Sequence, residues 1–140
     1  MANGRNTERI EMLNLTENVV KRQIENVLKF YVAVGKVGHY IRLNSGRYKI
    51  QGQNKRGVFK TRMIKGAPAG TADIVVFLPI KDKNYSVTLW LEAKRSSGGV
   101  HLDSQIAFQK MVCEMPQHYY YVVRSADEVE KLIVHILTKD

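Results

Sequence analysis

The sequence has only one cysteine, Cys113, among its 140 residues. A lone cysteine cannot form an internal disulfide or a cysteine-based zinc site, which excludes both as a source of stability. No uninterrupted apolar run exceeds five residues, as in residues 74–78, whereas a membrane span needs about 20. The first thirteen residues, MANGRNTERIEML, have no apolar signal-peptide core. We therefore expect a cytoplasmic protein with no membrane partner.

Acidic residues are missing from a long central stretch. Between Asn26 and Ala72 there is no Asp or Glu, while ten Lys or Arg residues occur there, interleaved with Tyr31, Tyr40 and Phe59. The whole chain has a formal net charge of +9. A long basic stretch without acids is typical of a surface that binds the phosphate backbone of nucleic acid, although a merely soluble basic surface remains the alternative. We predict nucleic-acid contacts for Lys36, Arg42, Arg47, Lys49, Lys55, Arg56, Lys60, Arg62, Lys65 and Arg95.

The overall composition is that of a folded domain. Hydrophobic residues make up 44% of the chain and charged residues 25%, close to the average for globular proteins. This composition excludes a disordered or low-complexity chain, and the length corresponds to one domain. We expect residues 1–14 to be a loosely ordered lead-in and residues 15–140 to form a single domain.

The spacing of apolar residues predicts the element order α, several β, α, β, α. Thr16 is a good N-cap for a first helix, in which apolar residues recur at helical spacing over residues 20–31. Strands are expected at residues 39–43, 47–50, 71–78, 85–94 and 119–123, and a long hairpin or mobile loop at residues 51–70. A second helix over residues 102–115 is expected to bury Cys113, and a capping box at Ser125 opens the last helix.

Two acidic residues and a lysine lie on the two strongest predicted strands. If the turn between these strands has its midpoint between Asp82 and Lys83, a regular hairpin places Asp73 directly opposite Glu92, with Cβ atoms about 5 Å apart. Lys94 follows two residues after Glu92 and leaves the same face of the strand. Two carboxylates that close repel each other unless a cation lies between them, and a divalent cation does this best.

This trio suits metal-assisted hydrolysis of a phosphodiester, with the carboxylates of Asp73 and Glu92 holding Mg²⁺ and Lys94 assisting the attacking water. The alternative is a surface hairpin in which Lys94 simply compensates the charge of Glu92. The first helix offers a third carboxylate, because Glu17 falls within about 40° of its apolar stripe whereas Glu25 points away. Glu17 is alternatively only a first-turn acid that interacts favourably with the helix dipole.

Several motifs together resemble a known family. They are Gly70-Thr-Ala-Asp73-Ile74, Leu91-Glu92-Ala93-Lys94, Gly98-Gly99-Val-His-Leu-Asp-Ser-Gln105 and Tyr121-Val-Val-Arg-Ser125. In these motifs the sequence resembles the VRR-NUC family, the virus-type replication-repair nucleases of the PD-(D/E)XK superfamily, over about residues 17–137. The resemblance implies an α/β fold with a restriction-endonuclease-like core, in which helices flank a mixed central sheet in the order α-βββ-α-β-α. Residues 46–65 match no motif of the family.

The resemblance also implies roles for individual residues. Asp73, Glu92 and the backbone carbonyl of Ala93 would bind Mg²⁺, with Mn²⁺ as a substitute, and Glu17 would match the acid on the family's first helix. Lys94 would be the catalytic lysine, and Gln105 would match a glutamine near the active site. Stand-alone members, commonly from bacteriophages, resemble homodimeric nucleases that cut branched DNA such as Holliday junctions. A phage-encoded member would act in the host cytoplasm.

Two other functions remain open from the sequence. One is a nucleic-acid-binding module that keeps the fold without catalysis, and the other is a restriction-type nuclease that reads base sequence. The intact Asp73, Glu92 and Lys94 argue against the first. His101 and His118 have no partner at metal spacing, and a structural role is the simpler interpretation of both.

Overall fold

The computed structural model describes residues 16–43 and 47–139, so the expected lead-in at residues 1–14 lies outside the described residues. The elements along the chain are α1 (Glu17–Ala33), β1 (His39–Arg42), β2 (Arg47–Gln53), β3 (Phe59–Lys65), β4 (Ile74–Pro79), β5 (Ser86–Ala93), α2 (Asp103–Cys113), β6 (His118–Val123) and α3 (Ala126–Thr138). The predicted order of a helix, several strands, a helix, a strand and a helix is confirmed. None of the described helices is both long and apolar enough to cross a membrane.

The main sheet is mixed and has the strand order β1-β4-β5-β6. β4 pairs antiparallel with both β1 and β5, while β6 runs parallel to β5 after a crossover through α2. In the β4–β5 hairpin, Ile74 pairs with Leu91 and Val75 with Trp90, which is the register that the sequence predicts. The ladder starts at Ile74, so Asp73 immediately precedes the strand.

The basic segment forms a hairpin of its own. β2 and β3 pair antiparallel in a separate two-stranded sheet, which is inserted between β1 and β4. The insertion begins beside the place where it ends, because the backbone N–H of Leu43 donates to the carbonyl of Asp73 at 2.7 Å. The main sheet therefore has the three strands that were predicted between the first and second helices, and the β2–β3 hairpin adds two more.

The core lies on both faces of the main sheet. Leu89 and Leu91 face α1 and α3, and Trp90, which alternates with them, packs with residues of α2 on the opposite face. The apolar residues of the larger cluster that are completely buried are Val20, Ile24, Leu28, Ile74, Val76, Leu78, Leu89, Leu91, Ala93, Val129 and Ile133. The packing brings together the first residue of α1, the start of β4 and the end of β5, the two central strands of the sheet.

Helix ends follow the sequence in part. The Thr16 hydroxyl caps α1 as predicted, by accepting from the Val19 N–H at 3.4 Å. The Ser125 hydroxyl accepts from the Glu128 N–H at 3.2 Å, but the Glu128 carboxylate accepts from Arg124 rather than from Ser125, so the capping box is incomplete. The prediction that α2 buries Cys113 is wrong, because α2 buries only Val112 completely and leaves this thiol exposed.

Candidate metal centre

Three carboxylates from distant parts of the chain meet where α1 and β4 begin and β5 ends. Oxygen atoms of Glu17, Asp73 and Glu92 all lie within 4.8 Å of one another. Asp73 and Glu92 are only 7% and 3% exposed, whereas Glu17, at the first turn of α1, is open to solvent. The structure therefore brings together the three acids singled out in the sequence, in an arrangement that can bind a divalent cation.

Asp73 reaches the site in a different way from the predicted cross-strand pair. Its backbone N–H donates to the carbonyl of Leu91 at 3.0 Å, and its Oδ2 accepts from the N–H of Ala93 at 2.8 Å. The expectation of a regular pair between Asp73 and Glu92 is wrong in this detail, because the ladder stops one residue earlier. The bond to Ala93 fixes one carboxylate oxygen, while Oδ1 lies 3.1 Å from the ammonium group of Lys21. The metal-binding role expected of the Ala93 carbonyl stays a prediction.

Gln105 connects the lysine to one of the carboxylates. Its Nε2 donates to Oε1 of Glu92 at 2.7 Å, and its Oε1 accepts from Nζ of Lys94 at 2.9 Å and from the N–H of Leu102 at 2.9 Å. The Lys94 ammonium also lies 3.6 Å from Oε1 of Glu92. The side-chain amide of Gln105 therefore bonds to the first turn of α2 and orients both Glu92 and Lys94.

Lys21 belongs to the site, although the sequence analysis did not assign it there. Its Nζ lies 3.1 Å from Oδ1 of Asp73 and 3.3 Å from Oε1 of Glu17. Burial lowers the pKa of Lys21, but the two adjacent carboxylates outweigh this and raise it above its ordinary value. The signal was present in the sequence, because residues four apart lie on the same face of a helix and Lys21 follows Glu17 by four.

The environment of Glu92 is the strongest sign that these acids can bind a cation. Burial, followed by the negative charge of Asp73, raises the pKa of Glu92 to about 8, even though Lys94 acts in the opposite direction. Its Oε2 is buried and has no hydrogen-bond partner among the described residues. A buried carboxylate oxygen without a partner is costly, and a metal ion would satisfy it. The three carboxylates therefore fit Mg²⁺ or Mn²⁺, both of which prefer oxygen ligands.

A glycine and an arginine side chain hold the loops around the site. Gly70 has a φ of +90°, and a Cβ atom there would lie 2.6 Å from the carbonyl carbon of Ser104 in the first turn of α2. Arg124 donates through its guanidinium to the carbonyls of Arg95 and Gly98, which ties down the loop that follows Lys94. Gly70, three residues before Asp73, is therefore needed for the close approach of α2.

The predicted nucleic-acid contacts are spread over several places. Arg42 ends β1 beside the site and forms an ion pair with Glu25 at 3.4 Å, and Arg95 is exposed next to Lys94. Lys36 follows the far end of α1, whose 17 residues span about 25 Å, so it does not join the carboxylates. The exposed cations of the β2–β3 hairpin are Lys55, Arg56 and Lys60. The predictions for the side chains of Arg47, Lys49, Arg62 and Lys65 lie outside the described part of the chain.

The aromatic residues behind Glu92 have structural contacts. His118 accepts from the indole N–H of Trp90 at 3.0 Å, and His101 contacts Gln109 at 3.1 Å, so neither histidine joins the carboxylates. Tyr120 is buried, and its burial together with the charges of Glu92 and Asp73 raises its pKa. Its hydroxyl therefore stays protonated at neutral pH.

Comparison of the chain with models of protein families, with curated proteins and with solved structures finds no match in any of the three. The functional argument therefore depends on the residues of the site.

Proposed function

We propose that the protein is a Mg²⁺-dependent endonuclease that hydrolyses DNA phosphodiester bonds and selects branched DNA such as Holliday junctions. The observation that carries this proposal is the meeting of the Glu17, Asp73 and Glu92 carboxylates within 4.8 Å, beside the ammonium group of Lys94. Oε2 of Glu92 is buried and has no hydrogen-bond partner among the described residues, so it can serve as an oxygen ligand for the metal.

The residues divide the chemistry among them. Glu17, Asp73 and Glu92 would hold the metal, which when bound polarises a phosphate oxygen and lowers the pKa of a coordinated water. Lys94 is 7% exposed and aimed at this group, so its ammonium can orient the attacking water and neutralise charge that builds on the phosphate. Gln105 holds Lys94 at 2.9 Å, which makes it a positioning residue for the lysine.

The basic hairpin supports DNA as the substrate. It leaves the main sheet at Leu43 and returns at Asp73, and the sequence from Asn26 to Ala72 contains no acidic residue. Its exposed Lys55, Arg56 and Lys60 offer cations for phosphate groups, while the carboxylates lie in the main sheet where β4 begins and β5 ends. This separates the basic hairpin from the acidic centre that would cut the bound strand.

We place the protein, as part of the same proposal, in the VRR-NUC family of the PD-(D/E)XK superfamily. The supporting features are an acid immediately before β4, an acid on β5, Lys94 two residues after Glu92, the acid at the start of α1 and the glutamine on α2. A homodimer follows from the substrate, because one metal centre per chain cuts one strand and a two-fold pair can cut both strands of a junction.

The test is a cleavage assay on a four-way junction, a flap and a linear duplex, with Mg²⁺, Mn²⁺ or a chelator. We expect junction cleavage that the chelator abolishes. Asp73→Ala, Glu92→Ala and Lys94→Ala should each lower the rate at least about 100-fold while DNA binding is retained. Glu17→Ala should impair cleavage, and the matched change Glu25→Ala on the same helix should not. Full activity of Asp73→Ala would refute the proposal.

One observation favours a second function, a DNA-binding module without catalysis. Lys21 already neutralises part of the charge of Glu17 and Asp73, at 3.3 and 3.1 Å, so these two acids are compensated without a metal. The assay separates the functions, because a non-catalytic module would bind the junction with or without Mg²⁺ and leave it intact. Cutting at one base sequence on linear duplex would instead identify a restriction-type enzyme.

A further inference from the structure

The tip of the β2–β3 hairpin, defined as residues 54–59, presents an aromatic ring to solvent. Phe59 is 73% exposed, more than any other aromatic residue of the described chain, and its neighbour Val58 is 54% exposed. The ring takes part in none of the aromatic contacts found among the described residues. Burying a large apolar side chain is favourable, so the exposed Phe59 ring and its neighbour Val58 offer apolar surface to a binding partner.

The turn that carries this ring is well defined. Oδ1 of Asn54 accepts from the N–H groups of Arg56 at 2.9 Å and Val58 at 3.0 Å. The Asn54 N–H also donates to the Val58 carbonyl at 2.9 Å, and Gly57 supplies a φ of +77° that the turn requires. These bonds hold the tip in one conformation, so Val58 and Phe59 project from a preformed turn.

Cations flank Phe59 in the sequence. Lys55, Arg56 and Lys60 are all exposed within four residues of it, and the acid-free sequence from Asn26 to Ala72 includes the entire hairpin. An apolar protein surface gains nothing from three adjacent cations. Single-stranded or distorted nucleic acid uses both features, because the cations pair with phosphates and the ring stacks on a base.

We infer that Phe59 is a wedge that stacks on bases exposed at the branch point of DNA. This inference rests on the proposed function, which supplies branched DNA as the substrate. Inserting a ring between stacked base pairs costs unstacking free energy, and a branch point lowers this cost because the bases flanking it already have an unstacked face. The wedge thereby gives preference for branched over linear DNA without reading base sequence.

The hairpin links this wedge to the site of cleavage. Both ends of the inserted segment meet at the Leu43–Asp73 hydrogen bond, beside the three carboxylates. The seven residues of β2 span about 23 Å, which sets the length of the arm between the tip and the base of the hairpin. When the tip holds a branch point, the length of the hairpin therefore determines how far from that branch point the phosphate at the carboxylates lies.

The test compares Phe59→Ala with wild type and with Phe30→Ala, a matched control on α1 in which the ring is also exposed, at 60%. Binding to a four-way junction and to a linear duplex of the same sequence is measured by fluorescence anisotropy with chelator present, so that nothing is cut. A 2-aminopurine base at the branch reports unstacking. We expect Phe59→Ala to lose about 10-fold in junction affinity, the effect of one lost base stack, with duplex affinity unchanged.

Phe59→Trp should restore junction binding, and the 2-aminopurine signal should rise with wild type and with Phe30→Ala but not with Phe59→Ala. The wedge would be overturned if Phe59→Ala kept the wild-type affinity for the junction, or if it lost affinity equally for junction and duplex. It would also be overturned if the wild type did not bind the junction. Dissociation of a dimer by Phe59→Ala in sedimentation would overturn it too, because the ring would then contact a second copy. A chain that unstacks the branch yet never cuts with Mg²⁺ would contradict only the proposed nuclease activity.

Discussion

The ammonium group of Lys21 lies 3.1 Å from Oδ1 of Asp73, with Oε1 of Glu17 at 3.3 Å on the same nitrogen. A monovalent cation from α1 thus bridges two of the three carboxylates that would bind a divalent one. The third acid, Glu92, has no hydrogen-bond partner for its Oε2 within the part of the chain that the structure describes. The lysine and a metal ion compete for the same oxygens, and this competition can be measured.

Replacing Lys21 by Met should strengthen binding of divalent cations and weaken the metal-free fold. The ammonium no longer has to be displaced, but Asp73 and Glu17 lose their compensating charge. We expect Mn²⁺ affinity to rise about 10-fold, which corresponds to about 1.4 kcal/mol, by isothermal titration calorimetry. The melting temperature in chelator should fall.

Lys131→Met is the matched control for this change. Lys131 forms an i,i+4 ion pair with Asp127 at 2.9 Å, but both side chains are exposed on α3 and lie outside the carboxylate cluster. The control should change neither Mn²⁺ affinity nor melting temperature to a comparable degree. Weaker Mn²⁺ binding by Lys21→Met would show that the lysine supports the metal rather than competing with it.

Gln105→Ala should lower the cleavage rate about 10–100-fold with little effect on KM, because the amide positions Lys94 and Glu92 without touching the DNA. Gln105→Glu keeps an acceptor for Lys94 but places a negative charge where Nε2 lies 2.7 Å from Oε1 of Glu92, so we expect it to be no better. Steady-state kinetics on a junction provide the measurement. An unchanged kcat in both variants would exclude the positioning role.

The metal-free protein should become less stable as pH rises from about 5 to about 8. The pKa of Glu92 is about 8 in the fold, against an ordinary value of 4.5, so the folded state holds this proton more tightly than the unfolded chain. Its contribution is complete below pH 4.5 and is lost as pH passes the folded pKa, with a slope that approaches about 1.4 kcal/mol per pH unit.

Urea unfolding in chelator at several pH values tests this dependence. Glu92→Gln has no proton to lose, so the difference between wild type and this variant isolates the contribution of the carboxyl. The two proteins should diverge with rising pH in favour of Glu92→Gln. Parallel curves would mean that Glu92 titrates normally and that its environment is not that of a buried, repelled acid.

Gly70→Ala should destabilise the fold more than Gly35→Ala. Both glycines have positive φ, at +90° and +78°, so both variants carry backbone strain of about 1 kcal/mol. Only at Gly70 would the new Cβ collide with the backbone of Ser104, whereas at Gly35 no described residue beyond its two chain neighbours has an atom within 4 Å of the new Cβ. Chemical denaturation should give at least about 1 kcal/mol of additional loss for Gly70→Ala. Equal losses would contradict the close approach of α2.

The sequence predicted the parts of the site that depend on local periodicity. The two-residue period of β4 and β5, together with the polar turn at residue 82, determined the register that pairs Ile74 with Leu91. The helical period of α1 turned Glu17 rather than Glu25 toward the sheet. These predictions succeeded because each depends on spacing within one element or one hairpin.

The features that the sequence did not predict depend on contacts between distant segments. The partner of Lys21 is Asp73, 52 positions away, and helical spacing alone gives no sign of that contact. The regular pair expected between Asp73 and Glu92 ignored the end of the ladder, where the Asp73 side chain turns to the Ala93 N–H. Cys113 was placed in the core because its neighbours are apolar, yet α2 packs through too narrow a stripe to cover it.

A crystal of the protein soaked in Mn²⁺ tests the metal centre most directly, through the anomalous scattering of the ion. We predict a peak bonded to carboxylate oxygens of Asp73 and Glu92, including the buried Oε2, with the Lys21 ammonium moved away from Asp73. If the carboxylates bind no ion at Mn²⁺ concentrations that support cleavage, and Lys21 keeps its 3.1 Å contact, the metal centre proposed for this protein is wrong.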